Sequence, residues 1–201
     1  MNRTLNIRAA GSGDAPFAAS MICLSLHELA DHLFQLNTDA IKVATAELFA
    51  RNAGRFGYEH AYVAECDGEA VGLLVAYRGD RVSRLNLETV PHLIAVLGLV
   101  NAIRFVYRGV TLPGGKEAEN DEFFISNVGI LPSLQGRSLG SQLLAFAEEL
   151  ACENNLKKCS LIVSWRNTDA KRLYERIGYK IAEAVQDDEK DLGYYRMVKV
   201  L

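Results

Sequence analysis

Between residues 134 and 144 the chain reads LQGRSLGSQLL, with two glycines, an arginine and a serine directly ahead of an apolar stripe. A turn this poor in bulky side chains, opening into a helix, leaves backbone N–H groups without partners. It also aims the positive end of the helix dipole at the same spot. That arrangement suits an anion, most often a phosphate. Glycine-rich turns also precede helices for purely steric reasons, so the surrounding residues must decide. A P-loop is excluded, because no Lys-Ser or Lys-Thr follows at the G-x-x-x-x-G-K-[ST] spacing.

The elements that position this turn follow from periodicity. LNIRAA alternates apolar and polar residues and reads as a first strand. Asp14 is placed to cap a helix with Pro16 in its first turn, which continues through FAASMICLSLHELA. Asn37 or Thr38 caps the next helix, where Ile41, Ala44, Leu48 and Phe49 share a face and Gly54 ends the run. HAYVAEC, DGE and AVGLLVAYRGD form a β-hairpin around Asp67-Gly68. EFFISNVGIL is a strand ended by Pro132, and the glycine turn leads into a helix striped with Leu139, Leu143, Leu144, Ala147, Leu150 and Ala151. A strand KKCSLIVSW, a helix NTDAKRLYERIG and two strands around QDDEKD complete the chain. The fold class is mixed α/β (α+β) in a single domain over 1–201, with a helical insert at 80–120 between the third and fourth strands.

Composition narrows the functions. At 201 residues and 49% hydrophobic content the chain can bury one substantial core. A formal charge of −3 without a basic run argues against nucleic acid as partner. Cys23, Cys66, Cys152 and Cys159 lack CxxC spacing and a His-rich setting, so no metal site is expected and the thiols read as free. The opening residues lack the apolar stretch of a secretion signal, which makes the cytoplasm the expected compartment. VPHLIAVLGLVNAIRFVY, residues 90–107, holds an uninterrupted apolar run only from Leu93 to Val100. That is well short of the ~18–20 residues a membrane span needs. It reads as an apolar helix that is buried, forms an interface or walls a pocket.

Together, the strand FFISNVGILP, the turn SLQGRSLG, the strand CSLIVSW and the helix NTDAKRLYERIGYK resemble the GNAT superfamily of acyl-CoA-dependent N-acyltransferases. The likeness is close over 121–181 and extends loosely, through element order, to all but the insert. The family turn Q/R-x-x-G-x-G/A is matched by Gln135, Gly136, Arg137, Ser138, Leu139 and Gly140, and the helix motif by Asn167, Ala170, Leu173, Tyr174, Gly178 and Tyr179. Ser138 departs from the pattern, standing where the family has glycine; it keeps the turn if its φ stays negative.

The resemblance implies a mostly antiparallel central sheet flanked by helices. It also implies acetyl-CoA as co-substrate, its pyrophosphate cradled by the turn amides with Gln135 and Arg137 nearby. The strand carrying Gly129 would splay from its neighbour and bind pantetheine along Val128, Gly129 and Ile130. A glycine within an apolar strand marks a bulge or a close backbone approach.

Acyl transfer needs a neutral amine and a protonated leaving thiolate. Tyr174 suits the acid, since an unperturbed tyrosine (pKa about 10) keeps its proton at neutral pH. Packed in its helical stripe, it is equally a core aromatic. The base is open: Ser126 occupies one common position of the acidic residue, and Glu122 acting through water is the candidate. Asp121 and Glu122 also read as solvated loop-end charges. A backbone N–H near Val128 would stabilise the oxyanion.

The acceptor is a small-molecule amine or a peptide amine, with the insert shaping the acceptor side or a homodimer contact. The alternative activity is an acyl-CoA-binding module without turnover. His27 and His32 are poorly spaced for a metal, Trp165 reads as core or pocket wall, and the 187–191 charges read as a solvated hairpin tip that attracts a cationic amine only if it overhangs the acceptor.

Overall fold

The computed structural model describes residues 5–26, 28–187 and 192–201; His27 and the 188–191 hairpin tip lie outside them. Among the described residues the strands form a seven-stranded sheet in the order β1-β2-β3-β4-β5-β7-β6, with β1 Asn6–Ala9, β2 Ala61–Cys66, β3 Glu69–Arg78, β4 Phe123–Ile130, β5 Lys158–Ser164, β6 Lys180–Asp187 and β7 Leu192–Val200. Every pairing is antiparallel except β4 with β5. Asp67 and Gly68 take φ of +55° and +82°, the left-handed pair that a two-residue hairpin between β2 and β3 requires.

Helices cover both faces. On the front lie α1 Ala15–Leu26, α2 Glu28–Phe34 and α3 Thr38–Ala50. Met21, Ile22, Leu48 and Phe49 pack there against Leu73, Val75, Tyr77 and Phe124. The back is covered by α6 Leu139–Glu153 and α7 Thr168–Arg176. Leu143, Leu144, Ala147 and Tyr174 pack there with Leu74, Ile125, Leu161 and Met197. Asn37 caps α3 by accepting the Ala40 N–H at 2.9 Å. Asp14 does not cap α1 as expected; its carboxylate closes the preceding turn on the Gly11 N–H and pairs with Arg8.

The insert is helical but not one apolar helix. It folds as α4 Val82–Leu97 and α5 Leu99–Val110, broken at Gly98, whose φ of +76° ends the first helix. α4 packs beside α3 and α5 beside α2, while Leu99, Val100, Ile103, Tyr107 and Val110 stay exposed on α5. No helix among the described residues is long and apolar enough to cross a membrane. The insert also positions a polar side chain. Thr89 of α4 accepts the Arg55 N–H at 3.1 Å and donates to the Leu85 carbonyl at 2.7 Å, with the Ala53 carbonyl 3.3 Å away. A Cβ on Gly54 (φ +53°) would collide with Leu85 and Thr89, so glycine permits this contact and fixes where Arg55 emerges.

Candidate active site

The site begins with a break in the sheet. β4 pairs with β5 only from Phe123–Cys159 to Ile125–Leu161, although both strands continue. Beyond that point they splay, leaving the β5-facing edge of β4 without a strand partner. The divergence starts at a bulge: Val75 pairs with Asn127 and Ala76 with Ile125, so Ser126 is the extra residue. The bulge is therefore at Ser126 and not at Gly129. Gly129 serves the other purpose a strand glycine has, since a Cβ there would lie 3.1 Å from the Met21 methyl of α1.

The splay opens a cleft of about 1020 Å³. It runs from Ser25 and Ser126, past Val128, Gly129 and Ile130, to the start of α6 and one face of α7. Of the residues singled out in the sequence, it brings together Val128, Gly129, Ile130, Gln135, Gly136, Ser138, Leu139, Gly140, Asn167 and Tyr174. Arg137 is exposed in the same turn without lining the cleft. A smaller recess of about 210 Å³ adjoins at Ser164 and Asn167, beside an Arg166–Glu28 ion pair of 3.5 Å.

The turn uses two left-handed residues, Gly136 at φ +76° and Ser138 at φ +62°. The condition set for Ser138, a negative φ, is not met, yet the turn is kept. Ser138, the N-cap residue of α6, makes no side-chain capping bond in that conformation. A non-glycine residue there carries on the order of 1–2 kcal/mol of strain. The first amides of α6 have no acceptor inside the helix, and they open onto the cleft beside Gly140 and Ser141. Gln135 is tied back, its amide donating to the Ile130 carbonyl at 3.4 Å. Asn167 caps α7, accepting the Ala170 N–H at 3.1 Å.

Tyr174 is the core aromatic the sequence suggested, packed 6.0 Å from the Tyr179 ring, and it also borders the cleft. Burial pushes its phenol up to about 12, so it holds its proton throughout the neutral range.

Glu122 is displaced from the expected role. It is neither a solvated loop end nor part of the cleft lining. Its carboxylate accepts from Arg196 at 2.5 and 2.6 Å and from the Glu119 N–H at 2.9 Å, with both charged side chains buried. The arginine lies on β7, beyond β5 in the sheet, and this buried pair anchors the insert's return to β4. Asp121 is the exposed charge, paired with Lys158 at 2.8 Å.

Sequence reasoning missed several lining residues. Asn127 donates to the Ser25 hydroxyl at 2.7 Å and accepts from Ser126 at 3.3 Å, a polar bridge from β4 to α1 inside the cleft. An Asn-Ser pair within an apolar strand was the available signal. Arg172 and Arg176, four apart on one face of α7, also line the cleft.

Residues 26–179 match the acetyltransferase (GNAT) family. The chain belongs to that family. A 56-residue segment, 28% of the chain, is 41% identical to an aminoalkylphosphonate N-acetyltransferase of Salmonella typhimurium and spans 36% of that protein's length. A second curated relative, a GCN5-related N-acetyltransferase of Arabidopsis thaliana, is 24% identical over 64% of the chain and is matched over 47% of its own length. The fold superposes on an N-acetyltransferase from Staphylococcus aureus Mu50 with a TM-score of 0.70 and 22% identity, covering 96% of this chain and 99% of that one. This GNAT member thus has curated relatives that are N-acetyltransferases, and the fold of solved acetyltransferases.

Proposed function

We propose that the chain transfers an acetyl group from acetyl-CoA to a primary amine by direct attack through a tetrahedral intermediate. The observation that carries this reading is the continuity of one cleft. It joins an unpaired strand edge, the free amides of a helix start and a protonated tyrosine. A similar fold, a PaiA N-acetyltransferase from Thermoplasma acidophilum (TM-score 0.56, 12% identity, 98% of this chain and 99% of that one), was solved in complex with coenzyme A.

In this reading the amides from Arg137 to Gly140 and the α6 dipole hold the pyrophosphate. The edge of Val128 to Ile130 hydrogen-bonds the pantetheine amides, as an added strand would. The thioester then sits near the Ser126 bulge, with the Val128 N–H facing the developing oxyanion. The amine attacks the thioester carbon, the carbon–sulfur bond breaks, and Tyr174 gives its proton to the departing thiolate. No covalent enzyme intermediate forms, so the four cysteines take no part. Glu122 is assigned a structural role with Arg196.

The test is a calorimetric titration with acetyl-CoA followed by thiol release against a panel of small and peptide amines. Micromolar binding with acceptor-dependent release of free CoA is the expected result. Binding without release from any amine would favour the module that binds acyl-CoA without turnover. Tyr174 stands against that module, because a sensor has no use for a leaving-group acid.

A further inference from the structure

The face of α5 that packs on the protein is settled. Ala102 is 1% exposed, and Phe105 meets the Phe34 ring edge-on at 4.9 Å. Arg108 is tied to the Leu33 carbonyl and the Gln35 side chain. A second apolar face points to solvent: Leu99, Val100, Ile103, Tyr107 and Val110 are 59–80% exposed. No Asp, Glu, Lys or Arg occurs from 89 to 103. On a helix of 3.6 residues per turn those five side chains fall within an arc of about 100°. They make one stripe, unlike the scattered apolar residues of an ordinary surface.

The spacing of the stripe says what fits it. Val100, Ile103, Tyr107 and Val110 follow one another by three, four and three, the seam of a helix that packs on another helix. That series reads the same in both directions. A second α5 laid antiparallel across it, on a two-fold axis beside Phe105, sets Val100 against the partner's Val110 and Ile103 against the partner's Tyr107. Such self-complementarity is what a closed two-fold contact requires. The area suffices as well: five side chains at roughly 100 Å² each bury ~1,000 Å² over two copies, the floor for a specific interface. Arg104 flanks the seam and keeps its charge in water while its stem is covered. A lipid surface fits less well. The chain carries −3 overall and α5 has two arginines, one of them tied to the end of α2, whereas anionic membranes hold clusters of basic residues.

We infer that α5 is a homodimer contact, in which two copies of this chain pair antiparallel through the exposed stripe of the insert. No residue that lines the cleft belongs to α4 or α5. The contact therefore makes no use of the candidate active site, and it stands or falls independently of the transferase reading.

Analytical ultracentrifugation at about 1 to 100 µM protein tests the pairing, since an interface of this size binds at micromolar concentration or tighter. Two double variants carry charge at the centre of the seam: Ile103→Glu with Tyr107→Glu, and Ile103→Lys with Tyr107→Lys. Both positions are exposed, so far-UV circular dichroism of each variant should match wild type. Expected are a wild-type dimer within that range, a monomer for either variant alone, and a dimer again when the two variants are mixed. Like charges keep each variant apart, and opposite charges meet across the seam in the mixture. Wild type that stays monomeric at about 100 µM would overturn the proposal. Variants that remain dimeric would overturn it by placing the contact elsewhere. A mixture that stays monomeric would overturn the pairing of α5 with its own copy. Monomeric wild type that co-sediments with vesicles of phosphatidylcholine and phosphatidylserine would overturn it in favour of a lipid surface.

Discussion

Replacing Glu122 by glutamine separates a buried structural ion pair from a catalytic base. Glu122 receives three hydrogen bonds, two from one Arg196 nitrogen at 2.5 and 2.6 Å and one from the Glu119 N–H at 2.9 Å. The two side chains are only 4% and 10% exposed, so solvent does little to screen either charge. Glutamine keeps the shape and can still accept from both donors, but it leaves the guanidinium without a counter-charge. Breaking a buried pair by removing one partner costs about 3–5 kcal/mol; the retained hydrogen bonds put Glu122→Gln near the lower end. For a chain of this size ~3 kcal/mol corresponds to a fall in Tm of roughly 6–12 °C. Thermal unfolding followed by circular dichroism reads the loss, and CoA release at 25 °C reads catalysis. The expected result is a lowered Tm with kcat within about twofold of wild type, since a base would be worth ~10²–10⁴-fold. A second variant, Glu122→Met with Arg196→Leu, should recover most of the lost stability by removing both charges together. A kcat loss of about 10²-fold at unchanged Tm would refute the assignment and return Glu122 to the mechanism.

Tyr174→Phe should lower kcat by about 10²-fold while acetyl-CoA affinity by calorimetry stays near wild type; full activity would remove Tyr174 from the mechanism. The same residue sets an alkaline limit. Its phenol ionises near 10 when unfolded and near 12 when folded, so its contribution to stability is complete below pH 10 and is lost as pH rises to 12. Urea unfolding across that window should show a decline of up to ~3 kcal/mol, and Tyr174→Phe should remove that part of the slope. At the turn, Gly136→Ala meets no atom within 4 Å, so its cost is backbone alone. About 1–2 kcal/mol is expected by urea unfolding, together with weaker acetyl-CoA binding. Ser138→Gly should act oppositely, relieving the φ of +62°. The net gain is at most ~1 kcal/mol, because glycine also frees the unfolded chain.

What the sequence made legible was local. Of the two caps read for α3, Asn37 or Thr38, Asn37 forms, and it, the Asp67-Gly68 hairpin and the α6 stripe each rest on residues close together in the chain. The turn and the helix that border the cleft were legible for the same reason: Gly136 to Gly140 and Asn167 to Tyr174 are contiguous segments. Errors arose where a long-range partner decided the outcome. Glu122 looked solvent-facing at a strand start, and only Arg196, seventy-four positions away, draws it inward. The Ser126 bulge depends on how β4 pairs with β3, which no spacing within β4 records. Ser138 keeps its place in the turn with a left-handed φ, which residue type alone does not record.

The insert presents the same lesson in its sharpest form. Read by composition, it was an apolar helix followed by a polar loop, and its link to chemistry was a guess about the acceptor side. In the fold two of its segments, α4 and the returning loop, both hold Arg55. Thr89 of α4 holds the turn that presents Arg55, and the returning loop places Glu117 on Arg55 and its carbonyl on Arg196. The Tyr194 hydroxyl donates to the Pro113 carbonyl, drawing the same loop onto β7. These contacts join residues from four separate segments of the chain. Segments contiguous in the chain can therefore keep their sequence signature, whereas a polar cluster assembled from distant residues has none until the chain brings them together.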